Sequence, residues 1–292
     1  MAEKEFKTIS EQLEILRQRG LKINGDEKAK DFLLKNNYYR ISGYSLTLRS
    51  NDVFFPQASF QNIVDIYCFD HEIRSLLLKY LETIEVTFKS VYAYEFSRIN
   101  GPLEYLSPHC FTDADKHRET IEKAKKQEAT RRTQEAFLKH FSELNQELPL
   151  WVFVDLLTIA NISVLYSISQ ADVQSAVAKH LCPGPQGEYL LGRFMHSLTI
   201  LRNLCAHGGR LFNRLFEQKP KLSTRERKML RINEDGGEDN EHLFSYVLVM
   251  RRLLAAPDFE EMKTTIENLE KKYPFVALRY YGFPDDWKEI LE

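Results

Sequence analysis

Residues 59–98, SFQNIVDIYCFDHEIRSLLLKYLETIEVTFKSVYAYEFSR, decide the architecture. Apolar groups fall at Ile63, Ile66, Tyr67, Ile73, Leu76, Leu77, Tyr80, Leu81, Ile84, Phe88 and Val91, in steps of three and four. That is the period of a helix that buries one face. The stretch therefore predicts one long amphipathic helix or two in series, ended by Gly101-Pro102.

The same signals extend outward on both sides. Thr8-Ile9-Ser10-Glu11 fits a capping box, with Gly20 closing the helix it opens. Asp26 is expected to cap a second helix that Asn36-Asn37 breaks. Residues 114–146 are charge-rich and read as helix with a solvated surface. Pro149 suits the first turn of an apolar helix over 150–168. Cys182-Pro183-Gly184-Pro185 is a break. Leu190, Leu191, Phe194, Leu198, Leu201 and Cys205 then mark a helix from Glu188 to Ala206, stopped by Gly208-Gly209. Residues 233–240, NEDGGEDN, read as an acidic loop before two more helices near 241–256 and 258–272. Asp52–Phe55 and Leu278–Tyr281 are weak strand candidates. The expected fold is all-α, a helical bundle with appended terminal segments.

Bulk properties set limits. With 43% hydrophobic residues the chain can bury a sizeable core, and a net charge of −2 carries no global signal for nucleic acid, leaving local patches to be read. The cysteines Cys68, Cys110, Cys182 and Cys205 form no CxxC pair and have no zinc spacing, so no metal or cofactor is expected and the thiols read as reduced. The opening MAEKEFKTISEQ lacks an apolar leader, which makes a cytoplasmic location the expectation. Residues 150–168 are long enough to span a bilayer, yet Asp155 and Asn161 near their centre favour a buried core helix.

Chemistry concentrates in Leu201-Arg-Asn-Leu-Cys-Ala-His207. Arg202 can clamp a phosphate, His207 can move a proton near neutral pH, and Asn203 can orient either. RNA carries its own 2′-hydroxyl nucleophile, so a base and a cation suffice for cleavage. On an ideal helix, positions five apart differ by about 140°, so Arg202 and His207 do not share a stripe. They converge only if the helix loosens before Gly208-Gly209 or a second subunit supplies partners. On spacing alone, a helix-end histidine beside a charged residue reads first as dipole stabilisation. From Arg202 to Arg231 six Arg and three Lys face two Glu, a basic excess that suits a polyanion or, for Lys219 to Arg231, a solvated face. Arg193, nine residues before Arg202, is read as lying roughly on its face and extending phosphate contacts. Tyr38, Tyr39, Arg40 and Tyr44 read either as base-stacking groups or as packing of the N-terminal segment, with Arg40 pairing an acid. Asp70, Arg74 and Glu85 read as one buried polar network, and His109, His117, His140, His180 and His196 have no site-like spacing.

Arg202-Asn203-Leu204-Cys205-Ala206-His207, followed by Arg210, Asn213 and Arg214, resembles the R-N-x3-H pattern of HEPN ribonucleases in its Abi-like abortive-infection form. Asn37-Tyr38-Tyr39-Arg40-Ile41-Ser42-Gly43-Tyr44 is similar to that family's N-terminal motif. So are Tyr67-x-Phe69-Asp70-x-x-Ile73-Arg74 with Ile84-Glu85-Val86, Pro149-x-Trp151, and Gly282-Phe283-Pro284-x-x-Trp287. Two departures stand out: Asp155 and Ala160-Asn161 where the family often has Glu and Gly, and Gly208 where it often has a larger residue. The resemblance implies a HEPN-like helical domain over 59–292 and an N-terminal helical segment over 1–58, together one compact unit. It implies a metal-independent endoribonuclease toxin of phage defence, with Arg202, Asn203 and His207 catalytic. RNA contacts are expected from Arg193, Arg210, Asn213, Arg214, Tyr39 and Arg40. It further implies a homodimer, because HEPN sites pair two R-x4-H motifs, and control by an RNA antitoxin. The alternatives are a non-catalytic RNA-binding module and a toxin held by a protein antitoxin.

Overall fold

The computed structural model describes residues 5–131, 138, 141 and 146–292. The long stretch is a single helix. We label the main helices α1 (Ile9–Gln18), α2 (Asp26–Asn36), α3 (Tyr38–Ser42), α4 (Phe60–Asn100), α5 (Ala114–Arg131), α6 (Ile159–Ile168), α7 (Ala171–Leu181), α8 (Gly187–Ala206), α9 (Leu243–Leu253) and α10 (Ala256–Lys272). Ser59 and Asn62 close a capping box at the start of α4, and Gly101 at φ 109 ends it. At 1.5 Å per residue α4 runs about 60 Å. It is the axis of an all-α bundle: α7, α8, α9 and α10 all pack on it, and α6 packs on α8.

Local chemistry explains the ends. Thr8 and Glu11 form the expected capping box, and Gly20 at φ 92 ends α1 while the amide of Leu21 bonds the Leu16 carbonyl. Asp26 is not the cap of α2: Gly25, at φ 84, takes that position, and the Asp26 carboxylate pairs with Arg17 instead. Residues 150–168 are not one helix. A turn over Leu150–Phe153 passes into a 3-10 turn over Val154–Leu156, and Thr158 then caps α6 by accepting from the Asn161 amide. Competition from the Thr158 side chain for that amide accounts for the restart.

Of the strand candidates, Val53–Phe54 pairs antiparallel with Arg49–Ser50 through Asn51 and Asp52, both at positive φ, the conformation of a type I′ hairpin. Leu278–Tyr281 is a 3-10 turn, which turns both Leu278 and Tyr281 into the core. Helix is formed over Ala114–Arg131; most of the rest of that stretch, His140 included, lies outside the described residues. All four cysteines are free. Among the described residues no helix is long and apolar enough to cross a membrane.

Candidate functional site

The motif from Arg202 to Arg214 begins on the last turn of α8 and leaves through a Schellman turn. His207 is the C-cap, Gly208 follows at φ 65, and the amides of Gly208 and Gly209 bond the carbonyls of Cys205 (3.1 Å) and Leu204 (2.7 Å). Both positions favour glycine. Gly208 sits where an L-residue is strained, and a Cβ on Gly209 would stand 2.0 Å from Leu204 Cδ1 and 3.1 Å from its carbonyl oxygen. The departure at Gly208 thus has a backbone reason.

The three candidate catalytic groups cluster at this end. The Arg202 side chain is 38% exposed, and its Nε lies 3.7 Å from Glu85 on α4. Its Nη1 donates to Asn203 Oδ1 at 3.3 Å. His207 is exposed and hydrogen-bonds no described residue through its ring. Glu85 does not join Asp70 and Arg74 in a core network as the sequence suggested. It faces α8, with Lys89 at 2.8 Å, because it stands eleven and more residues further along α4. Cys205, inside the motif, points into the core, and burial pushes its thiol up to about 12. It is no nucleophile at neutral pH.

The loop after His207 is anchored from two directions. Arg40 Nη2 donates to the Gly208 carbonyl, and Arg210 Nη1 donates to the Gly43 carbonyl at 2.8 Å. The two arginines exchange carbonyls between the α3 segment and the α8 exit. Arg40 therefore meets a backbone oxygen, and not the acid expected for it, while its guanidinium lies 5.8 Å from the centroid of the Tyr67 ring. It also brings a cation to the negative end of α8.

Beneath lies Asp70, 0% exposed. It accepts from the Phe212 amide (2.7 Å), the Leu211 amide (3.1 Å), Tyr44 Oη (2.8 Å), Tyr281 Oη (3.1 Å) and Arg74 Nη1. Burial pushes this carboxyl up, against the pull of Arg74 and the hydrogen bonds. One carboxylate thus ties together three sequence motifs and the turn before the fourth.

The remaining candidates divide. Arg193 is not on the face of Arg202: nine residues at 100° each leave them about half a turn apart. Arg202 faces Glu85, while Arg193 lines a cleft with Tyr166, Tyr189 and His196. Tyr39 is exposed, edge-on to Tyr38. Asn213 is exposed at φ 49 and donates its amide to the Tyr280 carbonyl (2.9 Å), a turn role that Asn tolerates well. Arg214 is exposed, 5.7 Å from the centroid of the Phe216 ring.

Half of the basic stripe beyond is answered by acids at 238–241: Lys219 pairs Glu241, Arg227 pairs Glu238 and Arg231 pairs Asp239. Asp239 is buried; His242 and Arg231 outweigh that burial and hold its carboxyl below the usual range. Of the other histidines, His117 is buried on the Tyr105 carbonyl and His180 bonds Glu95, whereas His109 and His196 are exposed. Glu104, His109 and Cys110 bring three possible ligand atoms within 4.8 Å, but burial raises the Cys110 thiol and opposes its ionisation.

A family model described as Abi-like protein matches residues 31–213, from α2 to the turn at Asn213. Searches of curated proteins and of solved structures gave no match.

Proposed function

The chain belongs to the Abi-like protein family of abortive infection, and from that premise we propose that it is a HEPN-type endoribonuclease acting as a toxin in phage defence. The observation that carries this reading is the Glu85–Arg202–Asn203 chain beside an exposed His207 whose ring bonds no described residue, on one helix end. Glu85 orients the guanidinium of Arg202 without burying it, so the remaining N–H groups stay available to a phosphate. His207 takes the 2′-hydroxyl proton or returns one to the leaving 5′-oxygen. Asn203, one turn before His207, positions the substrate or the imidazole.

The nucleophile is the RNA's own 2′-oxygen. Its attack on phosphorus forms the 2′,3′-cyclic phosphate as the bond to the 5′-oxygen breaks and that oxygen takes a proton. These steps require no metal. Each chain carries one R-x4-H motif, so a symmetric homodimer about the α8 ends would gather two His207 and two Arg202 around one phosphate. Control by an antitoxin, RNA or protein, belongs to the same proposal.

The test is labelled single-stranded RNA with wild type and His207→Ala. Wild type should leave cyclic phosphate and 5′-hydroxyl ends in EDTA, and the variant should cut about 10²–10⁴-fold slower. Binding without cleavage by either protein would make this a non-catalytic RNA-binding module. Chelator-sensitive cleavage leaving 5′-phosphates would sink the mechanism.

A further inference from the structure

One face of α8 meets solvent from end to end. Tyr189, Arg193, His196, Ile200, Asn203 and His207 follow in steps of four and three, each exposed or half-buried. At its N-terminal end this stripe opens into a cleft of about 360 Å³ between α6, α7 and α8. The floor is the buried Tyr166, whose hydroxyl donates to the carbonyls of Glu188 (3.1 Å) and Gln174 (3.3 Å). Gly192 keeps the space beside that ring open: a Cβ there would stand 3.6 Å from Tyr166 Cε1. Tyr189, 55% exposed, forms one wall, and Arg193 stands one turn along. Arg193 and His196 are exposed and hydrogen-bond no described residue through their side chains. The acid at the rim, Glu188, is half-buried, and its own backbone amide holds its carboxyl below the usual range.

We propose that this cleft is a nucleotide subsite for an unpaired base and its phosphate, from which single-stranded RNA follows the α8 stripe to His207. Tyr189 offers an aromatic face for the base, and Arg193 a fork for the phosphate. A duplex keeps its bases stacked and cannot present one to the ring, so the substrate class is unpaired RNA. Fourteen residues at 1.5 Å separate Arg193 from His207 by about 21 Å, the reach of a few nucleotides. The role at His207 rests on the ribonuclease reading; the subsite itself does not.

The experiment measures binding of full-length wild type to fluorescent 2′-O-methyl oligonucleotides, from dinucleotide to octanucleotide, which have no free 2′-hydroxyl to attack. Affinity should climb with length and then level off. Tyr189→Ala and Arg193→Ala should each weaken the octanucleotide about tenfold. Arg193→Ala should also flatten the salt dependence by about 0.7 in log–log slope. Gly192→Leu fills the cleft with a good helix former and should act like Tyr189→Ala, with an unchanged melting temperature excluding misfolding.

Length-independent affinity, an equally tight duplex, or variants that bind like wild type would overturn the subsite. So would a Tyr189→Ala protein that loses dimerisation while keeping its RNA affinity, which would make the stripe a face between copies. The two readings fail separately. Length-dependent binding without cleavage of ordinary RNA removes the ribonuclease and keeps the subsite; cleavage unaffected by the cleft variants does the reverse.

Discussion

His207 and Leu211 lie within one turn of chain, yet their surroundings are opposite. His207 is exposed and hydrogen-bonds no described residue through its ring. The amides of Leu211 and Phe212 are buried on Asp70, itself shared with two tyrosines and an arginine. The first is an arrangement for contact with something outside the chain; the second is scaffold. The difference teaches that a motif read as one unit in sequence holds two kinds of residue. The polar groups most tightly fixed are those with no access to a substrate.

The sharpest way to break this comparison is Asp70→Ala. It leaves the Arg74 charge and four buried donors unpaired, so we expect a loss of about 3–5 kcal/mol in urea or thermal unfolding. A loss below about 1 kcal/mol would mean that Asp70 is not the scaffold. Gly208→Ala comes next. Forcing an alanine at φ 65 should cost about 1–2 kcal/mol, and because the turn carries His207 it should also slow RNA cleavage; full activity would show the turn to be dispensable.

His207→Ala belongs at the other extreme. With no partner to lose, its melting curve should match wild type within about 0.5 kcal/mol even though cleavage fails. A clearly destabilised variant would make this histidine structural. The smallest effect is expected from Lys219→Ala, whose exposed pair with Glu241 should contribute about 0–1 kcal/mol. That pair should also leave RNA affinity unchanged, since Lys219 is already answered by an acid; a drop in affinity would return the basic stripe to the RNA-contacting surface.

Much of this molecule is legible as pattern. The periodicity of α4, the Thr8–Glu11 box, Gly20, the Cys182–Pro185 break and the Gly208-Gly209 stop are all read from short-range spacing, because helix period, capping and left-handed turns are decided by neighbours in the chain. The R-x4-H motif is visible for the same reason, as is the angular mismatch between its ends. The failures also have physical causes. Residues 150–168 read as one helix because they are mostly apolar, and the 3-10 turn over Val154–Leu156 and the Thr158 cap divide them. Arg193 reads as a neighbour of Arg202 only if rotation is ignored: nine residues put them on opposite sides, and the stripe Arg193 does share is 189–193–196–200–203–207.

The sequence by itself determined the all-α class, the ends of α1, α4 and α8, and the family, since each rests on interactions within a few residues or on ordered motifs. Only the tertiary structure decided which groups meet. Asp70 could not be matched to the Leu211 and Phe212 amides, nor Arg40 to the Gly208 carbonyl, nor Glu85 to Arg202, because each pair is more than a hundred residues apart. Such contacts depend on how α3 and α8 lie against α4, which follows from packing of the whole core. The same packing turns Arg210 onto Gly43 and leaves His207 open to solvent, a distinction that spacing along the chain does not contain.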